Sequence, residues 1–389
     1  MLWTVRAVSL LGAALAFWPN FGSHEPRWAF ILVAGCAGLI ATRRLTGLDM
    51  MGLTIVGWSA LSLSWSSDPG EGLTTIVPLV GLFGVFLLFE HGPRFDLGPI
   101  AVVATIGALC LGILYPDVNG GFFNQNWLTE FLVLSGLIAV LRGGPLGLAS
   151  ALSAWTWAIL YNSSFAWIAA LGALIVALCL VRRWYWAAAI IMLAGINLLI
   201  FVAPRMGREI ALSLTSRYEL WINTVSLWLK NPLFGGGLGS YNHDYSSVMQ
   251  DHLSLMGQVR FQNVFLYPGY VHNDALNILV EIGVVGLVLC LAFCFVALRR
   301  QTRETVWPLA GLAGISMIAF PLFLPSTAFW AAALIGIASR QDSLASSSAL
   351  DWWRRYGGRF GPIWPSTRHV KGLATRRFGH SCKISTPIA

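Results

Sequence analysis

Apolar runs recur along most of the chain, separated by short polar turns. A membrane-spanning helix needs about 20 mostly apolar residues. Candidate stretches fall at residues 5–20, 28–42, 50–65, 73–90, 98–115, 127–141, 146–161, 164–181, 185–203, 273–297, 307–320 and 326–339. Several are shorter than the rule, which suits tilted or re-entrant segments, so ten to twelve spans fit. Barrel strands alternate apolar and polar positions; these runs do not. The expected fold class is therefore an all-α polytopic membrane protein of about 12 transmembrane helices (10–12) with one large outward-facing loop.

Composition agrees with that solvent. The apolar fraction is 56% and the charged fraction 11%, against roughly 25% charged for a soluble protein. So few charges could not cover a water-exposed surface.

Lysine and arginine in short loops favour the cytoplasmic side, and here they alternate. Arg43 and Arg44, Arg94, Arg142, Arg182 and Arg183, and Arg299, Arg300 and Arg303 share one side. Short loops on the other side carry only Arg27. The net charge of +8 is thus a topology signal, and no nucleic acid is expected as a partner. Both termini are expected in the cytoplasm. Ala14-Leu15-Ala16 resembles a signal cleavage site, but an uncleaved first span is the preferred reading. The chain then divides into nine spans over 1–203, an outer loop over 204–271, three spans over 272–339 and a basic tail over 340–389. The cysteines lie in apolar spans and the tail, so no structural disulfide is expected.

The outer loop should hold the chemistry. It opens with Arg205 and Arg208, then Ser216-Arg217-Tyr218-Glu219-Leu220-Trp221 and on to Lys230, with Asn231-Pro232 as a stop. At 100° per residue, 217–230 is an amphipathic helix. Trp221, Val225 and Trp228 form its apolar stripe; Glu219, Asn223, Ser226 and Lys230 form its polar face. Arg217 falls on the apolar stripe, so it must either snorkel to water or meet an anion. Next come Gly235-Gly236-Gly237-Leu238-Gly239, whose backbone N–H groups could cradle phosphate or simply form a tight turn. The loop closes at His272, and Asn273, Asp274, Asn277 and Glu281 then occupy one arc of the next helix. Polar groups inside a membrane helix face a cavity or a partner. At a helix start the dipole disfavours positive charge, which keeps His272 neutral and able to accept a proton.

Taken in order, Ser216-Arg217 with Trp221, Asn231-Pro232-Leu233-Phe234-Gly235 through Gly239, His272-Asn273, then Glu281-Ile282-Gly283 with Gly286 resemble the signature of the O-antigen ligase/polymerase superfamily. Gly121-Phe122-Phe123-Asn124-Gln125-Asn126 is similar to that family's Asn-rich lead into a span. The resemblance covers roughly 120–297. It implies a GT-C-like, metal-independent glycosyltransferase of the bacterial inner membrane, with its active site facing the periplasm and no cofactor. The donor would be an undecaprenyl-diphosphate-linked glycan. The acceptor would be lipid A-core or a second lipid-linked glycan, with a flippase and chain-length regulator as further partners. Arg217 would hold the diphosphate and His272 would activate the acceptor hydroxyl. Arg205, Arg208, Arg260, Asn126, Gly237, Gly239, Asn273, Asp274 and Glu281 are candidate diphosphate- or glycan-binding residues. One departure is plain: Phe165, in Asn162-Ser163-Ser164-Phe165, stands where the family carries a further arginine.

Related members glycosylate pilins, which makes protein O-oligosaccharyl transfer one alternative. A secondary transporter would also account for Asp274 and Glu281, although no inverted repeat is evident. His243-Asp244 and Asp251-His252 are potential metal ligands, but they sit in a flexible polar stretch without a His-Glu-x-x-His spacing.

Overall fold

The computed structural model describes residues 25–161, 217–256, 269–299 and 303–340, apart from a handful of loop positions. The predicted spans at 5–20, 164–181 and 185–203, the tail beyond 340, and Phe165, Arg205, Arg208 and Arg260 lie outside the described residues.

Among the described residues the protein is helical and has no strand. The helices are α1 (Glu25–Ala41), α2 (Gly47–Ser62), α3 (Pro69–His91), α4 (Gly98–Leu114), α5 (Gln125–Arg142) and α6 (Gly144–Tyr161). Then come α7 (217–228), α8 (Ser240–Met256), α9 (Asp274–Arg299), α10 (Arg303–Ser316) and α11 (Pro325–Ser339). Within the described residues, Pro69–His91 and Asp274–Ala297 are long and apolar enough to cross a membrane; Arg27–Ile40, Gly98–Leu114, Gln125–Val140 and Pro325–Ser339 are shorter apolar helices.

Local chemistry sets several boundaries. Thr46 and Asp49 cap α2 reciprocally, each side chain accepting the other's backbone N–H. Asp68 caps α3, with Pro69 at the first helical position. The stretch predicted as 307–320 is helical over Arg303–Ser316 instead. Residues beyond Ser316 turn through Ala319 to the short 3-10 segment Pro321–Phe323.

Close packing comes from small residues. Gly35 and Gly38 of α1 lie against Gly81 and Gly84 of α3, and a Cβ on Gly84 would come within 2.5 Å of the Gly35 Cα. Such glycine contacts let two helix backbones meet where lipid offers no hydrophobic drive. The largest buried cluster runs through α1, α3, α4, α5 and α11, with Phe89, Phe131, Phe329 and Trp330 at its centre.

The described part of the polar segment is more regular than its composition suggested. His243 and Asp244 belong to α8, a 17-residue helix, not to a flexible stretch. Tyr241 and Tyr245 of α8 pack with Leu220, Leu227, Val271 and Val280 into a small core of their own. Apolar residues one turn apart on α7 and α8 thus bury each other, a pattern hidden by the many polar residues between them.

Candidate functional site

The site is assembled where the polar segment meets α9, and α9 is broken there. Gly283 sits at φ +70 inside α9. A helix break leaves carbonyls on one side and N–H groups on the other without partners. The loop 231–239 supplies them. Gly236 and Gly237 donate to the carbonyls of Val280 and Glu281 (2.9 and 2.8 Å), while Val284 and Val285 donate to Pro232 and Leu233 (3.1 and 3.2 Å). The Trp58 indole donates to the remaining Ile282 carbonyl at 3.1 Å.

This docking explains the glycines. A Cβ on Gly235, at φ +71, would fall 2.7 Å from the Gly283 nitrogen, and one on Gly283 would fall 2.6 Å from the Gly235 nitrogen. A left-handed conformation costs an L residue roughly 1–2 kcal/mol before any clash. Gly283→Ala is therefore expected to lower the melting temperature of the purified protein by several degrees. An unchanged melting curve would show that the two segments do not interlock.

The same bonds bear on the glycine loop as a phosphate cradle. Gly235 donates to Asn231, Leu238 to the Ser62 hydroxyl, Gly239 to the Glu281 carboxylate (3.2 Å) and Ser240 to Gly237. With Gly236 and Gly237 as above, every N–H from 235 to 240 is committed within the protein. Gly237 (φ +96) and Gly239 (φ +83) are needed for the approach to Ser62, Ser66 and Gly72. Glu281 also accepts from the Tyr241 backbone, so it ties the loop to α9.

Arg217 heads α7 and is buried, 6% exposed. It does not snorkel outward. The buried line of α7 is Arg217, Leu220, Thr224 and Leu227, while Tyr218, Ile222 and Leu229 are exposed. Asn223, expected on the polar face, is buried as well, next to Tyr245. Rotation of the helix away from the predicted stripe follows from its partners: α8 and Val271 offer an apolar floor on that side. Trp221, one turn after Arg217, donates its indole N–H to the Val271 carbonyl at 3.1 Å. The arginine and tryptophan of the Ser-Arg-x-x-x-Trp pattern thus share a face, and the tryptophan pins the residue that precedes His272.

His272 adopts φ +55, a conformation rare for a residue with a side chain. Its ring meets Phe320 edge-on at 4.8 Å, and Phe320 stacks on Tyr270 at 4.5 Å and faces Trp127 at 6.1 Å. Phe320 therefore forms the wall behind the imidazole. Burial, with the Arg217 charge second, pushes the His272 imidazole down to about 4. The imidazole is therefore neutral at physiological pH; the helix proper starts at Asp274, and the chief cause is desolvation, not the helix dipole.

The remaining predicted residues divide by what they touch. Asn273 caps α9, accepting from Leu276 at 3.0 Å and donating to the Met317 carbonyl at 2.9 Å. Asp274 accepts from Leu322 at 3.3 Å through Oδ2, while its buried Oδ1 has no hydrogen-bond partner. Asn126 lies at the start of α5, where its backbone N–H donates to the Asn124 side chain at 2.8 Å. One turn further on, the same helix carries Glu130, 1% exposed, which interacts electrostatically with both Arg217 and Asp274. Sequence reasoning passed over Glu130. The available signal was a single carboxylate inside an otherwise apolar stretch.

The structure thus brings together Arg217, His272, Asp274 and Glu130, drawn from α7, the approach to α9 and α5. A guanidinium beside a neutral imidazole can neutralise an anionic leaving group while a proton is taken from a nucleophile. A separate group, Asp49, Glu90 and His91, holds three possible ligand atoms within 4.8 Å of one another. It lies at the opposite end of α2 from Ser62, which touches the glycine loop.

Residues 148–291 match the family described as O-antigen ligase. No curated protein matches the chain.

Proposed function

We propose that this chain, whose residues 148–291 match the family described as O-antigen ligase, acts as a member of that superfamily and transfers an undecaprenyl-diphosphate-linked glycan to an acceptor hydroxyl at the periplasmic face of the bacterial inner membrane. The observation that carries this reading is that buried Arg217 acts electrostatically on a half-buried, neutral His272 at the other end of the same segment.

In this reading the acceptor hydroxyl gives its proton to His272 while its oxygen bonds to the anomeric carbon of the donor sugar. The bond from that carbon to the diphosphate oxygen breaks, and undecaprenyl diphosphate leaves with its charge balanced by Arg217. Arginine suits the task because its planar fork binds phosphate oxygens in pairs. The metal-independent chemistry follows from that charge assignment. Asp274 and Asn126 would contact the glycan. Gly237, Gly239 and Glu281 would act indirectly, by holding the loop on α9.

Ligase and polymerase differ only in the acceptor, lipid A-core or a second lipid-linked glycan. Deleting the gene and resolving surface polysaccharide and lipid-linked intermediates on a gel separates them. Accumulated single repeats identify a polymerase. Long chains retained on undecaprenyl diphosphate, beside bare lipid A-core, identify a ligase. Unchanged pools would overturn glycan transfer and favour a transporter.

A further inference from the structure

His272 holds a backbone conformation that few residues with a side chain adopt, and its neighbours on both sides are tied down. Before it, the Trp221 indole donates to the Val271 carbonyl at 3.1 Å. After it, the Asn273 amide donates to the Met317 carbonyl at 2.9 Å, and the Leu322 N–H donates to the Asp274 carboxylate at 3.3 Å. Met317 and Leu322 lie in the turn between α10 and α11, and Phe320 stands between them in that turn. The turn is thus fastened at two points to the residues that follow His272, with an aromatic ring set between the fastenings.

The imidazole rests on that ring. Phe320 is buried, and its centroid lies 4.8 Å from that of His272 with 76° between the planes. Phe320 is itself held. Tyr270 stacks on it at 4.5 Å, and Trp127 of α5 meets it at 6.1 Å and 81°. Tyr270 in turn packs on Phe323 at 5.4 Å. An edge-to-face pair at such a separation is attractive. The last torsion of a histidine is broad, so a flat neighbour held from behind narrows it. The same ring, being apolar, keeps water from one side of the imidazole.

We infer that Phe320 is a positioning residue for His272: the turn between α10 and α11 presents a buried ring that fixes the plane of the imidazole toward the acceptor hydroxyl and excludes water beside it. The inference rests on the proposed transfer, in which His272 takes the acceptor's proton, and adds the element that aims the base.

Glycan transfer by the purified full chain in proteoliposomes tests it through kcat, donor KM and the acid limb of kcat/KM. Phe320→Leu keeps an apolar side chain and removes the flat ring. It should lower kcat about tenfold, because a small misplacement of a reacting group is costly, while donor KM stays within about twofold. Its acid limb should stay near 4, since the site remains dry. Phe320→Ala admits water to the imidazole. It should lower kcat by about 10–100-fold and move the acid limb up from about 4 toward 6.5, because desolvation is the chief cause of the low value. The charged or titratable groups around the imidazole are Arg217 on α7, Tyr270 and Asp274 on its own segment, and Glu130 on α5. Residues 317–323 add none. Every one of these groups persists in both variants, so a moved limb reports water reaching His272. A residue that only filled space would change the yield of folded protein and leave the limb in place.

The outcomes separate the layers. If the unaltered chain transfers no glycan, or His272→Asn transfers it at the full rate, the reading of the site fails and this inference with it. If transfer requires His272 but both Phe320 variants keep a normal kcat, or Phe320→Ala leaves the acid limb unmoved, the role of Phe320 alone is overturned. Should Phe320→Ala not purify as a folded protein, Phe320→Leu decides: a lower kcat at constant donor KM upholds the inference, and an unchanged kcat overturns it.

Discussion

Arg217→Ala is expected to abolish glycan transfer. The guanidinium is buried at the head of α7 beside Glu130 and His272, and no other cation among the described residues shares that position. A developing diphosphate charge that loses this fixed donor loses about 10²–10³ in rate by analogy with oxyanion donors. The arginine is also buried at the head of α7, so its removal loses packing and some stability with it. Arg217→Lys separates the two effects. It keeps the charge near Glu130, so the protein should insert and purify normally. It lacks the planar fork, so transfer should remain at least about 100-fold down if bidentate geometry matters as much as charge. Measured transfer from a lipid-linked donor in proteoliposomes, set against protein level in the membrane, decides it. Near-normal turnover in Arg217→Ala would remove this residue from the active site.

His272→Asn should be nearly as damaging, by about 10²–10⁴ if the imidazole is the general base. Asparagine is the apt replacement because it tolerates the left-handed backbone that His272 adopts, so the chain path is kept while the base is lost. The pH dependence gives an independent check. An ordinary histidine has a pKa near 6.5; burial and Arg217 bring His272 down to about 4. The free base therefore persists well below neutrality, and kcat/KM should stay flat on acidification until about pH 4 before falling. The sign for stability follows from the same shift. Between about 6.5 and 4 the unfolded chain binds a proton that the folded site refuses, so stability declines as pH drops through that window and levels off below it. An acid limb near 6.5 in the rate profile would mean that the catalytic base is not this imidazole.

Much of the site was legible because its parts are local in sequence. Arg217 and Trp221 lie one turn apart, and the helical period alone placed them on one face. His272, Asn273 and Asp274 stand together at a helix start, and their polar character ahead of an apolar run announced a lining. The same reading left the glycine loop open between a phosphate cradle and a tight turn. It could count backbone N–H groups, but whether they were free depended on Gly283, far along the chain, breaking α9 and drawing the loop onto it. Asn223 was misjudged for a related reason: a helical wheel gives faces, while the neighbouring element decides which face is covered.

The sequence by itself determined that this is a helical, lipid-compatible chain with one large polar segment, since apolar length and charge sparsity admit few other solutions. It also determined the pair of residues, Arg217 and His272, on which the chemistry is proposed to turn. Only the tertiary structure decided their company. Glu130 comes from α5, Phe320 from the turn after α10, and the loop that carries four glycines becomes a clasp on a broken helix. Side-chain periodicity is set within one element, whereas the partner of a buried charge or an unpaired backbone group is set by packing between elements distant in the chain.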